Sequence, residues 1–156
     1  SSGFSNSRFH PVLKEWRAHK GIDYAAPTGT PVKATADGIV QFSGSQRGYG
    51  NIVILKHRGK YETAYGHLSR FAKGQKKGSR VSQGDVIGYV GATGMATGPH
   101  LHYELRVDGV QRDPSKVILP TAPPIAKKDL QHFHSETKQL VARLTIMRNT
   151  YFASLN

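Results

Sequence analysis

The chain contains no cysteine. Disulfide cross-links are therefore excluded, and so is a structural zinc site closed by thiolates. It also lacks any apolar run approaching the ~20 residues that a membrane-crossing helix requires. It is short of acid: 10 Asp and Glu stand against 22 Lys and Arg, a formal net charge of +12. That imbalance points to an anionic partner, either nucleic acid or an acidic polymer of the cell wall. The densest basic run, Lys73-Gly74-Gln75-Lys76-Lys77-Gly78, has no aromatic residues interleaved. It lacks the stacking platform of a single-strand binder and reads as a solvated loop, so no nucleic acid is expected. There is no signal peptide, and the chain starts at Ser1 without a methionine. It reads as a processed piece whose targeting segment has been removed.

What is there is glycine, 17 residues of it, in a chain of 156 that suits one domain with a small appendage. Residues 29–112 divide into short strands. Pro31 to Ala34 and Gly38 to Phe42 flank the turn Ala36-Asp37-Gly38. Residues 51–56 form a short apolar run, consistent with a buried strand, and Tyr61 to Leu68 follow across Arg58-Gly59-Lys60 as a hairpin. Val86 to Val90 follow the turn Gln83-Gly84-Asp85. The strand from His100 to Val107 turns at Asp108-Gly109 into Val110 to Arg112, and a two-residue Asp-Gly connection is a strong hairpin signal. The expected class is α+β, mostly antiparallel β. A boundary falls at Leu119-Pro120-Thr121-Ala122-Pro123-Pro124. Beyond it Leu130, Phe133, Thr137, Leu140, Val141, Leu144, Met147, Tyr151 and Leu155 recur at threes and fours, which predicts an amphipathic helix with Asp129 at or near its cap. The expected division is a domain over 1–119, then a linker and a helix over 120–156 packing on or beside it.

The chemistry concentrates at His100 and His102 in Gly98-Pro99-His100-Leu101-His102-Tyr103-Glu104-Leu105. On a strand, residues two apart share a face, so both imidazoles look into one site. About eighty residues upstream, His19 and Asp23 add an imidazole and a carboxylate. Gly21 between them, with Pro27 and Gly29 close behind, argues against a helix there and for an extended or bulged segment. His19, Asp23 and one histidine of the pair make a two-nitrogen, one-oxygen set. Three protein ligands with a position left open suit a catalytic zinc ion, which can polarise a carbonyl and lower the pKa of bound water to about 7.

These residues closely resemble the lysostaphin/LytM-type zinc metallopeptidases. The resemblance rests on His19-x-x-x-Asp23, on Tyr65-Gly66-His67-Leu68-Ser69 and on Gly98 to Glu104, in that order. Gly48-Tyr49-Gly50-Asn51, Pro27 to Val32 and Val81-x-x-Gly84-Asp85-x-Ile87-Gly88 support it, and together they span residues 1–118. The resemblance implies an open antiparallel sheet with a loop-walled groove. It implies one zinc ion held by His19, Asp23 and His102, with His67 and His100 as the catalytic histidines. It implies hydrolysis of peptidoglycan peptides. Phe9-His10-Pro11-Val12-Leu13 and the terminal helix look like the Gram-negative periplasmic branch, which cleaves D-Ala to diaminopimelate cross-links as an endopeptidase and in some cases a carboxypeptidase. Such enzymes often carry an N-terminal regulatory part that occludes the groove. Tyr49, in its glycine-flanked loop, is a candidate to offer its hydroxyl to substrate.

Blander readings stand beside these. His10, His57, His132 and His134 read as structural or surface residues. Glu104 and Arg106 continue the face of His100 and His102, so they can line the groove, but a cross-strand ion pair or solvent contact is the ordinary expectation. The competing functions are a non-catalytic cell-wall binding module or amidase activator of the same fold, and a swinging-arm carrier, for which the modified-lysine motif is missing. The complete ligand set weighs against the first.

Overall fold

The computed structural model describes residues 2–10, 14–119 and 126–153. The proline-rich stretch 120–125, the segment Pro11 to Leu13 and Leu155 lie outside the described residues. Two compact units are defined, Ser1–Val117 and Ile118–Asn156.

The first unit is built from strands. In chain order they are β1 (Ser5–His10), β2 (Glu15–His19), β3 (Ile22–Ala25), β4 (Pro31–Lys33), β5 (Gly38–Gln46), β6 (Gly50–Lys56), β7 (Tyr61–Phe71), β8 (Arg80–Val81), β9 (Val86–Val90), β10 (His100–Val107) and β11 (Val110–Arg112). β1 and β2 form a two-stranded ribbon. The other nine strands form one open antiparallel sheet with the path β11-β10-β7-β6-β5-β8, with β3 added to β10 and β9 bridging β7 to β4. The expected strand-rich, antiparallel class is what forms.

Alternation sorts the side chains of β10. Leu101 and Tyr103 pack against the apolar cluster of Val32, Val53, Leu55, Tyr65, Leu68 and Ile87. His100, His102, Glu104 and Arg106 take the opposite face, as period 2 requires. β10 is paired along both edges: β7 on one, and β3 then β11 on the other. The strand that carries the histidine pair is thus held in register from both sides. Inside the core, the Tyr65 hydroxyl is satisfied by the Thr35 backbone N–H at 3.0 Å and by the Thr63 hydroxyl at 3.0 Å, as a buried phenol requires.

β7 carries the one irregularity that matters for the site. His67 has a φ of 61°, in the left-handed region where a non-glycine residue is strained. Its backbone N–H donates to the Tyr49 carbonyl at 2.8 Å. The pairing of β6 with β7 and that of β7 with β9 both shift register around this point, so the bulge re-aims the His67 side chain.

The second unit contains α1 (Lys127–Ala153), with Asp129 in its first turn. This is the helix that the periodicity predicts. Its Leu130, Phe133, Leu140 and Leu144 are exposed, as are His132 and His134.

Candidate metal centre

The β3–β10 register sets Asp23 directly across from His102, and His19 reaches the same point from the end of β2. Only a residue without a side chain fits the turn between β2 and β3: a Cβ on Gly21 would stand 2.6 Å from His102 Cε1 and 2.6 Å from the Tyr103 carbonyl. Gly21 therefore lets the His19–Asp23 segment close onto His102.

Three atoms converge. His102 Nδ1 lies 2.8 Å from Asp23 Oδ1, His19 Nε2 lies 3.0 Å from the same oxygen, and the two nitrogens are 3.3 Å apart. Tetrahedral ligation with bonds of about 2.1 Å sets ligand atoms about 3.4 Å apart, so small outward shifts would seat an ion among them. They form the group of metal-capable side chains found among the described residues.

The outer nitrogens support the same conclusion. An imidazole that offers one nitrogen to a metal must carry its proton on the other. His19 Nδ1–H donates to the Gly3 carbonyl at 2.7 Å, which frees Nε2. His102 Nε2–H donates to Glu104 Oε1 at 3.2 Å, which frees Nδ1. Asp23 Oδ2 is held by Arg8 Nη2 at 3.3 Å.

The electrostatics favour a cation at this point. Burial would raise the Asp23 carboxyl, but its close contacts with the His102 and His19 imidazoles outweigh it and hold the group well below the usual carboxylate range. Burial pulls His102 down, yet hydrogen bonds to Asp23 and Glu104 prevail and push it up to about 9.

His67 and His100 flank the cluster. His67 is buried, and burial is the main reason that its pKa is lowered. Its Nδ1–H donates to the Thr93 carbonyl at 2.7 Å. His100 Nδ1–H donates to the Gly98 carbonyl at 2.8 Å, and its Nε2 lies 3.7 Å from Asp23 Oδ1. Both rings therefore keep Nε2 as an acceptor, beside the metal-capable atoms. The cleft above them has a volume of about 540 Å³, with Arg8, Arg17 and Lys20 among its lining residues.

All five histidine and aspartate positions singled out in the sequence thus meet in one cleft. Tyr49 lines it too, but its hydroxyl donates to Glu104 Oε1 at 2.7 Å, and burial followed by the Glu104 contact raises that hydroxyl to about 12. His57 lies elsewhere, between the Asp37 carbonyl and the Thr63 hydroxyl, and serves structure. Glu104 is among the residues that line the cleft, as its face of β10 predicts, but its ion pair is not a cross-strand one. It is buried, ion-paired to Arg106 on its own strand and bonded to His102. Burial works against its ionisation, but His102, Tyr49 and Arg106 outweigh it and hold it at about 2. Sequence reasoning missed Gly3, Arg8 and Thr93. Arg8 belongs to no motif, and the other two act here through carbonyls that every residue type carries.

By class, this is an open antiparallel-sheet protein with a candidate mononuclear metal site of two imidazoles and one carboxylate. More narrowly, the model of peptidase family M23 matches residues 17–114, and the chain belongs to that family. It is 44% identical over 144 residues to the peptidoglycan DD-endopeptidase ShyC of Vibrio cholerae, covering 92% of this chain and 33% of that protein. Among solved structures it resembles a zinc-containing peptidase from Vibrio cholerae, with a TM-score of 0.69, 41% identity and coverage of 77% of this chain and 36% of the other. It also resembles the catalytic domain of lysostaphin from Staphylococcus simulans, with a TM-score of 0.65, 31% identity and coverage of 74% and 87%. The chain spans about a third of the length of the curated relatives it matches.

Proposed function

We propose that this chain is a zinc-dependent endopeptidase that hydrolyses D-Ala to diaminopimelate bonds in peptidoglycan cross-links, acting in the periplasm of a Gram-negative bacterium. The observation that carries this reading is the convergence of His19 Nε2, Asp23 Oδ1 and His102 Nδ1 beside two further imidazoles whose Nδ1 atoms are held by backbone carbonyls. Zinc held by His19, Asp23 and His102 supplies Lewis acidity, which polarises a carbonyl oxygen and brings the pKa of water near neutrality. The names of the Vibrio relatives support both the metal and the substrate.

The chain's own groups do the rest. His67 and His100 are each oriented by a carbonyl on Nδ1, so Nε2 is the nitrogen that takes and returns protons. One of them accepts the proton of the attacking water. The other, when it also carries a proton on Nε2, donates a hydrogen bond to the oxyanion as it develops. The proton taken from water passes to the leaving amine. The Tyr49 ring walls the cleft, and Arg8, Arg17 and Lys20 give it a basic rim for an anionic peptide. The peptidase domain is assigned to residues 1–119, and 120–156 to a linker and helix.

The test is digestion of purified sacculi with the zinc-loaded chain, with released muropeptides identified by mass spectrometry. Conversion of cross-linked dimers to monomers supports the endopeptidase reading. Trimming of pentapeptides to tetrapeptides with dimers intact shows a carboxypeptidase instead. Zinc and sacculus binding without product indicates a non-catalytic module.

A further inference from the structure

Four imidazoles face the cleft, and each has one nitrogen turned away from it. Three of those outer nitrogens donate to neutral backbone carbonyls: His19 to Gly3, His67 to Thr93 and His100 to Gly98. His102 is different. Its outer nitrogen meets the carboxylate of Glu104, a residue only 1% exposed.

A buried carboxylate is costly unless every oxygen is satisfied. Glu104 meets that condition in full. Oε2 accepts from Arg106 Nε at 2.8 Å and from Arg106 Nη2 at 2.6 Å. Oε1 accepts from the Tyr49 hydroxyl at 2.7 Å and from His102 Nε2 at 3.2 Å. Arg106 and Tyr49 thus fix the carboxylate with Oε1 aimed at the imidazole.

This matters because His102 stands between two carboxylates. Asp23 Oδ1, 2.8 Å away, attracts a proton onto Nδ1. A proton there removes the lone pair that a metal needs. Glu104 attracts the proton onto Nε2 instead. We propose that Glu104 is a positioning residue: it holds the His102 proton on Nε2, so that Nδ1 is the metal-binding nitrogen. A charged acceptor also raises the basicity of the ligand more than a carbonyl does. The inference rests on the reading of His102 as a zinc ligand.

The experiment measures zinc affinity of the metal-free folded protein by competition with a chromophoric chelator, for wild type, Glu104→Gln and Glu104→Ala. Glu104→Ala is expected to bind zinc about 10- to 100-fold more weakly. Glu104→Gln keeps an Oε1 acceptor but turns its amide donors toward Arg106, and a loss of about 10-fold is expected. In nitrogen-15 NMR of the zinc-loaded protein, the His102 Nε2–H resonance should be protected in wild type and exchange faster in both variants. A merely structural role does not move that signal. Tyr65→Phe, which weakens the core without touching the cleft, should lower stability and leave zinc affinity unchanged. If Glu104→Ala does not fold, the near-isosteric Glu104→Gln decides. Zinc affinity within about 3-fold of wild type in the folded variants, with an unchanged Nε2–H signal, overturns the proposal. Failure of the wild type to bind zinc, or undiminished binding by His102→Ala, overturns the metal assignment beneath it.

Discussion

The rings of His67 and His100 lie 4.7 Å apart, centroid to centroid, at an interplanar angle of 57°. They come from different strands and are anchored through the same atom, Nδ1, to the carbonyls of Thr93 and Gly98. Neither ring contributes an atom to the converging trio of His19, Asp23 and His102. His67→Ala is therefore expected to keep zinc affinity within a few-fold, while turnover falls by about 10²- to 10⁴-fold. Chelator competition and single-turnover hydrolysis of cross-linked muropeptides check the two halves. Near-normal hydrolysis would remove His67 from the catalytic role.

The trio itself should behave in the opposite way. Asp23 touches both imidazoles, so Asp23→Ala removes one ligand and loosens two. Zinc affinity should fall by at least about 100-fold, since loss of an outer-shell partner alone costs 10- to 100-fold. A chelator should abolish wild-type activity and added zinc restore it. The same zinc concentration should fail to restore Asp23→Ala.

Gly50 offers a test of the scaffold under His67. Its φ is 65°, and a Cβ there would stand 2.4 Å from both Thr93 C and Thr93 Oγ1. Gly50→Ala combines left-handed strain with overpacking, at a cost of about 2–4 kcal/mol. The displaced group is the residue whose carbonyl orients His67, so turnover should fall more than zinc affinity does. Thermal unfolding, metal titration and kinetics on one preparation separate these effects.

Tyr65→Phe isolates the core. It leaves the Thr35 N–H without its buried partner, a loss of about 1–3 kcal/mol. Melting should drop by several degrees, with kcat and zinc binding unchanged at temperatures where the protein is folded. A parallel loss of zinc would mean that core and cleft are not separable.

The residues that were legible in the sequence share a property: their pattern is local. His100 and His102 declare a common face through period 2, and Asp108-Gly109 declares the hairpin that ends their strand. The helix announces itself through spacings of three and four. The ribbon of β1 and β2 gave no such signal, because its Ser5 to Phe9 and Glu15 to Arg17 segments bury too little to alternate. The extension of β7 to Phe71 was also hidden. It passes through the left-handed His67, which is held there by a hydrogen bond to the Tyr49 carbonyl, a contact that no local pattern encodes. Glu104 was seen as a member of the right face, but its burial depends on Tyr49, fifty-five positions away.

β10 places His100, His102, Glu104 and Arg106 on one face and Leu101, Tyr103 and Leu105 on the other. Its frame makes the centre indivisible. Deleting a single residue ahead of His100 could not weaken the site by degrees, because sliding β10 by one position exchanges the two faces. Four polar side chains would turn toward the core, and the apolar set would turn out to water. Variation at this centre is therefore confined to substitution, and insertions and deletions must be absorbed by the loops on either side.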